Sequence, residues 1–560
     1  MQADKAPVTT ETIRTVNGSR HRWTMRHRHD DDVEVSRVAV ADVGDKTATG
    51  RSSPPEQLRA DGGTPSPVPA DLIVVSNRQP YRHERDDDGT VVVRKPTGGL
   101  TAGLDPVMRT TGGTWVAWGD GDADREVTDD DGRVAVPPNT ADQYTLHRVW
   151  LSEAAVEGHY TGYSNRVLWP LCHDLPEHLE CRDGDREWYR RVNRAFADAT
   201  LEHVDAHSVV WLQDYHLGLA PAMIRDDAPT GATLAQFWHI PWPTPETFGT
   251  CPNARELLDG LLGNDVLGFH TAEDVTDFLA CVNTFLEGAT VDHGTRSASY
   301  RGRETRVVAT PMGVDAAAHA AEAEAGDGDC WRRLCDRYEL PGDTPIVLGV
   351  DRLDYTKGIP ERLAALERLF EILPEWRESV TLLQKATPSR REIPAYAAFG
   401  ERVRGHVDRI NDRFGTADWT PVVYTEDFLT ESDLATCYRH ADVLVVSSLA
   451  DGMNLVAQEY VAASIDGEGA LVLSEAAGAA EGLGYPAYTV DPTDTDALAS
   501  AIIDALEAPQ GERRSRMAAL RERVFERDLE WWMTEQFRHM GAVDETGNET
   551  EPRSDLFDPV

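Results

Sequence analysis

Two doubly wound α/β domains facing a cleft are the architecture this sequence predicts, and three observations carry the prediction. Short apolar runs, rich in β-branched residues and without alternation, recur in both halves of the chain, as expected of strands buried on both faces of a parallel sheet. Stretches with helical spacing follow most of these runs, giving an alternating strand–helix rhythm. Polar residues with Gly or Pro cluster just beyond the strands, at the carboxyl edge where open α/β sheets hold their ligands.

The elements follow in order. Residues 1–70 lack a periodic apolar pattern and end in PSPVPAD; they are read as a disordered extension that the fold does not need, with Met25 as an alternative start. Within it His21, His27 and His29 alternate with Arg, a pattern assigned to the tail rather than to a metal site. The first domain, 71–325, opens with the strand LIVVSN and a helix from the TGGLTAGLDPVM region. Strands VVWL, TLAQFW and DVLGFH follow, the last leading into an amphipathic helix. AAAHAAEAEAGDGD (316–329) reads as a linker or an exposed helix. The second domain, 340–490, contributes strands PIVLGV, VTLLQ, PVVYT, VLVVSS and GALVLS. Helices over 491–540 are expected to pack back across the cleft, and 541–560 is a polar tail.

Composition narrows the function classes. The 560 residues hold 96 Asp and Glu against 55 Lys and Arg, a formal net charge of −41, and only five of the cations are Lys (Lys5, Lys46, Lys95, Lys357 and Lys385). An acidic, Arg-rich, Lys-poor chain suits high salt, where self-repulsion is screened. Nucleic acid is excluded as a partner for want of a basic face. The sequence shows no apolar run of membrane-spanning length and no signal-peptide core, so a cytoplasmic location is expected. Seven Cys without a CxxC pair argue against both a disulfide framework and a zinc site.

Several strand-end motifs carry candidate chemistry. In LADGMNLVAQEY, Gly452 frees the backbone for a tight turn and Asn454 is a helix N-cap. Asp451 then stands at the sheet edge, beside outward-facing amides suited to hydroxyls or phosphates, and Glu459 reaches the same crevice two turns on. VVSNRQP ends the first strand with Arg78, and the Gly98–Gly99 pair before a helix permits close approach to a ligand. QDYH places Asp214, Tyr215 and His216 past a strand end, and HIPWPTPE does the same for His239. In GVDRLDYTKGIPERL, Arg352 and Lys357 flank a turn into a helix set by Gly358 and Pro360; two cations there suit a diphosphate. Arg390 in ATPSRREIPAY lies near another strand end. DDDGT (86–90) reads as a hairpin turn, and DGDAD (120–124) as a chance pattern in an acidic chain.

Taken together, SNR, TGG, YTGYSNRVLWP, QDYH, HIPWPTPE, DRLDYTKGIPER, PSR, RIN, ADWTP and DGMNLVAQEY resemble the trehalose-6-phosphate synthase family in order and spacing, over roughly residues 71–540. The resemblance implies the two-domain GT-B fold and transfer of glucose, with retention, from a nucleoside diphosphate glucose to C1 of glucose 6-phosphate. It implies acceptor contacts at Arg78, Tyr160, Trp169, Asp214 and Arg390. Donor contacts would come from Gly98, Gly99, His239, Arg352, Lys357 and Leu429. The run Asp451, Gly452, Met453, Asn454, Leu455, Val456, Ala457, Gln458 and Glu459 completes them. Asp214, His239, Arg352 and Lys357 are the expected catalytic set; no metal or other cofactor is expected, and a homo-oligomer is allowed. HIPWP, where many members have HIPFP, is a departure. The acceptor set favours a phosphorylated acceptor without naming it, so a related transferase acting on glycerol 3-phosphate stays open, as does a non-catalytic sugar-phosphate sensor. The donor base (uridine, guanosine or adenosine) is not fixed.

Overall fold

The computed structural model describes residues 33–36, 69, 71–96, 99–326, 328–342 and 344–541. Two large sheets organise it. The first has ten strands in the spatial order Thr290–Asp292, Ser297–Tyr300, Arg303–Ala309, Val266–Phe269, Thr233–Phe237, Val209–Gln213, Leu72–Ser76, Thr114–Trp118, Tyr144–Val149 and Arg133–Val136. Its central pairings are parallel, and antiparallel strands close both edges. The second has six strands, all parallel, in the order Val422–Thr425, Thr381–Thr387, Ile346–Arg352, Val443–Val446, Ala470–Ser474 and Tyr488–Val490.

The predicted strands are all present, and their burial explains why they were legible. Leu72–Ser76, Val209–Gln213, Val443–Val446 and Ala470–Ser474 are buried at every residue, as strands covered by helices on both faces must be. The DDDGT turn joins the antiparallel strands Arg82–Arg85 and Val91–Pro96, with the Asp86 carboxylate accepting from the Thr90 N–H. Val33–Ser36 adds a third strand there, antiparallel to Val91–Pro96. Asp124 of the DGDAD run is fully buried against Arg148 at 2.9 Å, a structural ion pair.

Two segments join the lobes. Ala316–Ala325 is a helix whose buried Ala316 and Ala323 pack into the core of the second lobe, so it is part of that lobe rather than a spacer. The last helix, Leu529–His539, returns to the first sheet: Trp532 lies 5.4 Å from Trp211 and 5.1 Å from Phe237, ring centre to ring centre. The residues 541–560, apart from Gly541, and 1–70, apart from the strand above and Pro69, lie outside the described residues.

Candidate active site

Six of the expected side chains stand at or just past carboxyl ends of strands that the two sheets turn toward each other. Arg78 follows Leu72–Ser76, Asp214 follows Val209–Gln213, and His239 follows Thr233–Phe237. From the other lobe, Arg352 ends Ile346–Arg352, Arg390 follows Thr381–Thr387, and Asp451 follows Val443–Val446. Strand order thus gathers residues hundreds of positions apart into one crevice.

Tyr160 and Trp169 reach it by an unusual route. They are nine residues apart, and at 3.6 residues per turn an α-helix would put them on opposite faces. Glu157–Leu168 is instead a π-helix, whose turn of about 4.4 residues returns both to one face. Two glycines let this wide helix lie on Asp185–Leu201: a Cβ at Gly158 would stand 2.3 Å from Trp188, and one at Gly162 2.5 Å from Asp185.

One end of the crevice is rigidly built. The Arg390 guanidinium lies 4.0 Å from the Trp169 ring centre and donates to Tyr396 Oη at 2.6 Å, Asp354 Oδ2 at 3.2 Å and Tyr215 Oη at 3.4 Å. Burial opposes the charge on Asp354, but Arg390, Arg352 and Lys357 outweigh it and hold the carboxyl below its usual value. Arg78 donates to Tyr160 Oη at 3.3 Å, and Tyr160 stacks on His216 at 5.7 Å. Burial would raise the Tyr160 phenol; Arg78, Arg390 and Arg352 together hold it below its ordinary value. Three guanidiniums around one phenol make this pocket a place for an anion.

Between the two ends sit Asp214 and His239. Asp214 occupies left-handed backbone (φ 69°), and its Oδ1 accepts from the N–H groups of Tyr215 at 2.9 Å and His239 at 3.3 Å. Burial pushes its carboxyl up to about 6 despite those N–H groups. His239 Nε2 lies 2.9 Å from Gln213 Oε1, so that nitrogen donates and Nδ1 is left unprotonated. Burial, with His270 adjacent, holds the His239 imidazole neutral, well below its ordinary value.

The other end opens into a cavity of about 540 Å³ that contains Arg352, Lys357, Asp451, Met453, Asn454, Leu455, Val456, Glu459 and Leu429 in its wall, with His239 at its inner edge. Lys357 Nζ pairs with Asp451 Oδ2 at 2.5 Å, and Ser448 Oγ and Asn454 Nδ2 donate to the same oxygen at 3.2 and 3.0 Å. Burial opposes the Asp451 charge, yet Lys357 and Asn454 bring its carboxyl down to about 2. Arg352 is exposed to the cleft, 5.3 Å from the Trp169 ring centre, and pairs with no carboxylate among the described residues. Glu459 accepts from Tyr438 Oη at 2.8 Å. Gly358 caps the Ile359–Ile372 helix in left-handed backbone with Pro360 in its first turn, as the motif predicts.

Two expectations are revised. Asn454, at φ 72°, makes the sharp turn and caps its helix by accepting from the Ala457 N–H at 3.2 Å. Gly452 serves close approach instead: a Cβ there would stand 2.5 Å from the His239 carbonyl oxygen, so the lobes touch backbone to backbone here. Ala457 and Gln458 turn away from the cavity, Ala457 into the core and Gln458 to donate to the Met312 carbonyl at 3.0 Å. Gly98 lies outside the described residues, and Gly99 begins the helix Gly99–Thr111. Sequence reasoning passed over Asp354, Tyr396, His270 and Lys385, all of which line or brace the crevice. Asp354 and Tyr396 sit inside quoted motifs, DRLDYTK and REIPAY, where an acid and a phenol beside the conspicuous cations were the available signal.

The chain is similar to known proteins over most of its length. Residues 70–542 match Glycosyltransferase family 20. The trehalose-6-phosphate synthase of Mycolicibacterium smegmatis is 38% identical over 492 residues, spanning 86% of this chain and 94% of that protein. Among solved structures, the UDP-forming α,α-trehalose-phosphate synthase of Burkholderia xenovorans in complex with glucose 6-phosphate superimposes with a TM-score of 0.73 at 33% identity, covering 84% of this chain and 100% of the other. The E. coli protein bound with UDP-2-fluoroglucose gives a TM-score of 0.75 at 31% identity over 84% and 99% of the two chains. With that match over most of its length, the chain belongs to glycosyltransferase family 20.

Proposed function

We infer that the protein is a retaining glucosyltransferase that makes α,α-trehalose 6-phosphate and UDP from UDP-glucose and glucose 6-phosphate, for trehalose biosynthesis. The observation that carries this reading is the single indole of Trp169 with Arg390 at 4.0 Å and Arg352 at 5.3 Å. Two cationic pockets share that wall: Arg78 and Arg390 suit the acceptor phosphate, and Arg352 with Lys357 the donor diphosphate. Asp214, between them, accepts from acceptor hydroxyls. Asp451 and the amides after it meet the glucosyl hydroxyls, and Glu459 the ribose.

Retention follows from attack on the face the diphosphate leaves. The acceptor C1 hydroxyl oxygen bonds to the glucosyl anomeric carbon as the bond from that carbon to the diphosphate oxygen breaks. The hydroxyl proton passes to a leaving phosphate oxygen, and Arg352 and Lys357 neutralise the negative charge gathering on UDP. Neutral His239 fits beside the glucosyl ring, where a cation would oppose positive charge at the anomeric carbon. Mixing UDP-glucose and glucose 6-phosphate tests this: the expected result is stoichiometric UDP and a disaccharide phosphate with two α-anomeric proton signals. Product with glycerol 3-phosphate in place of glucose 6-phosphate would reassign the acceptor, and no UDP release with any sugar phosphate would leave only a binding role.

An enzyme of the cytoplasm at high salt is part of the same proposal, supported by the net charge of −41 and the five lysines. Among the described residues no helix is long and apolar enough to cross a membrane. Thermal stability should rise between low and molar KCl as carboxylate repulsion is screened, and a flat or falling curve would remove the salt adaptation.

A further inference from the structure

A cluster outside the crevice carries an assignment of its own. His147, on the strand Tyr144–Val149, meets Glu202 and His203, which follow the helix Asp185–Leu201, and their ligand atoms all lie within 4.8 Å of one another. His147 Nδ1 and His203 Nε2 face each other at 2.8 Å, with the rings edge to face at 5.0 Å. His147 is 6% exposed, His203 is half-buried and Glu202 is open to solvent, so the cluster has a rigid floor and a wet mouth. We propose that His147, Glu202 and His203 form a zinc-type metal site that clips the edge of the first sheet to this helix.

The donor chemistry fits. Two imidazoles and a carboxylate, with water completing a tetrahedron, is a recurrent zinc shell. Two nitrogens bound to one zinc at about 2.0–2.1 Å stand roughly 3.3 Å apart, so the rings need open by only about half an ångström. A proton now lies between the facing nitrogens. On binding it leaves through solvent and the same ring is protonated at its other nitrogen, so both lone pairs face the ion with no net proton released. The lack of a Cys pair excludes only thiolate sites. Arg133, directly across the ladder from His147, donates to Glu202 Oε2 at 2.8 Å; it is a competing cation that the metal must displace from that oxygen. The site has a mechanical outlet: Tyr189 on the same helix donates to the Tyr215 carbonyl at 2.6 Å, and Asn193 holds the His216 carbonyl at 3.1 Å, beneath the acceptor pocket.

Zinc titration of the chelator-stripped full chain, followed by calorimetry and by thermal unfolding, tests the proposal. One equivalent of ZnCl2 is expected to bind and to raise Tm. His203→Gln and Glu202→Gln, both near the mouth, should lose roughly tenfold or more in zinc affinity and the Tm rise, while their metal-free Tm and transferase rate stay at the parent's values. Arg133→Gln should tighten binding by removing the rival cation. A wild-type protein whose Tm ignores zinc, or a His203→Gln variant that binds it as tightly as the parent, would overturn the assignment.

Discussion

The two ends of the crevice hold their cations in opposite ways. Arg390 is held by Asp354, Tyr396, Tyr215 and the Trp169 face, and Tyr160 joins the same charge network. Arg352 stands open to the cleft, and Lys357 is held by Asp451. Under the proposed function the acceptor end is built before a ligand arrives, so a phosphate meets donors already in place. At the donor end Lys357 is balanced by its own ion pair, which a diphosphate and a sugar must separate. On that proposal, preorganisation serves binding at the first end; at the second, a donor that takes Asp451 would release the lysine to the leaving group.

The largest effects should come from the donor end. Arg352→Ala and Lys357→Ala are each expected to lower kcat by about 100-fold or more, because each removes a partner of the charge that grows on UDP. Steady-state kinetics at saturating substrates check this, and a normal kcat in both variants would put the diphosphate elsewhere.

Arg390→Ala should instead raise KM for glucose 6-phosphate far more than KM for UDP-glucose. It should also destabilise the fold by about 3–5 kcal/mol, since it strands the buried Asp354 carboxylate. Adding Asp354→Asn should restore much of the stability and none of the acceptor affinity. If Arg390→Ala moves donor KM instead, the two ends have been assigned the wrong way round.

Gly452→Ala probes where the ends meet. Its Cβ would press on the His239 carbonyl oxygen and stand 3.1 Å from the Ile240 Cα, so the lobes must part by a few tenths of an ångström or more. A loss of about tenfold in kcat/KM is expected, shared between both substrates because the added methyl presses on the backbone of the other lobe rather than into either pocket. A loss confined to one substrate would mean the contact shapes a pocket rather than setting the approach of the lobes.

The contrast also marks what could be read from sequence. Buried parallel strands announce themselves as continuous apolar runs, so Leu72–Ser76 and Val443–Val446 were plain, whereas Tyr144–Val149, with His147 and Arg148 in it, has no such run and was passed over. The conspicuous cations Arg78, Arg352, Lys357 and Arg390 were found because each sits in a motif at a strand end. Asp354, the counter-charge of Arg390, was not, because only the tertiary fold brings the two together. The π-helix was hidden as well: nothing in YTGYSNRVLW separates it from an α-helix until Gly158 and Gly162 are seen pressed against Trp188 and Asp185. The sequence marks Gly452 as a turn residue, whereas in the fold it allows a close approach from the other lobe, which leaves no local signature.

The mildest test uses pH, and it separates Asp214 from Asp451. An exposed Asp titrates near 3.9. Asp451 is brought down to about 2 by Lys357 against the opposing effect of burial, so its stabilising charge is complete above the ordinary value and is lost only as pH falls through about 2. Asp214 is shifted the other way, up to about 6 by burial. Its neutral form is favoured by the fold, and the stability it lends is present below the ordinary value and is lost as pH rises through about 6. Between pH 8 and 5, then, Asp214 gains a proton while Asp451 does not. A protonated Asp214 keeps one oxygen engaged by the Tyr215 and His239 N–H groups and turns the other from acceptor to donor, weakening its hold on an acceptor hydroxyl. KM for glucose 6-phosphate should rise a few-fold below pH 6 while KM for UDP-glucose stays level. The acceptor phosphate itself gains a proton near pH 6, so the decisive quantity is the difference between parent and Asp214→Asn profiles. The variant should start with a raised KM at pH 8 and show only the phosphate's share of the change. Parallel profiles in the two proteins would take Asp214 out of acceptor binding.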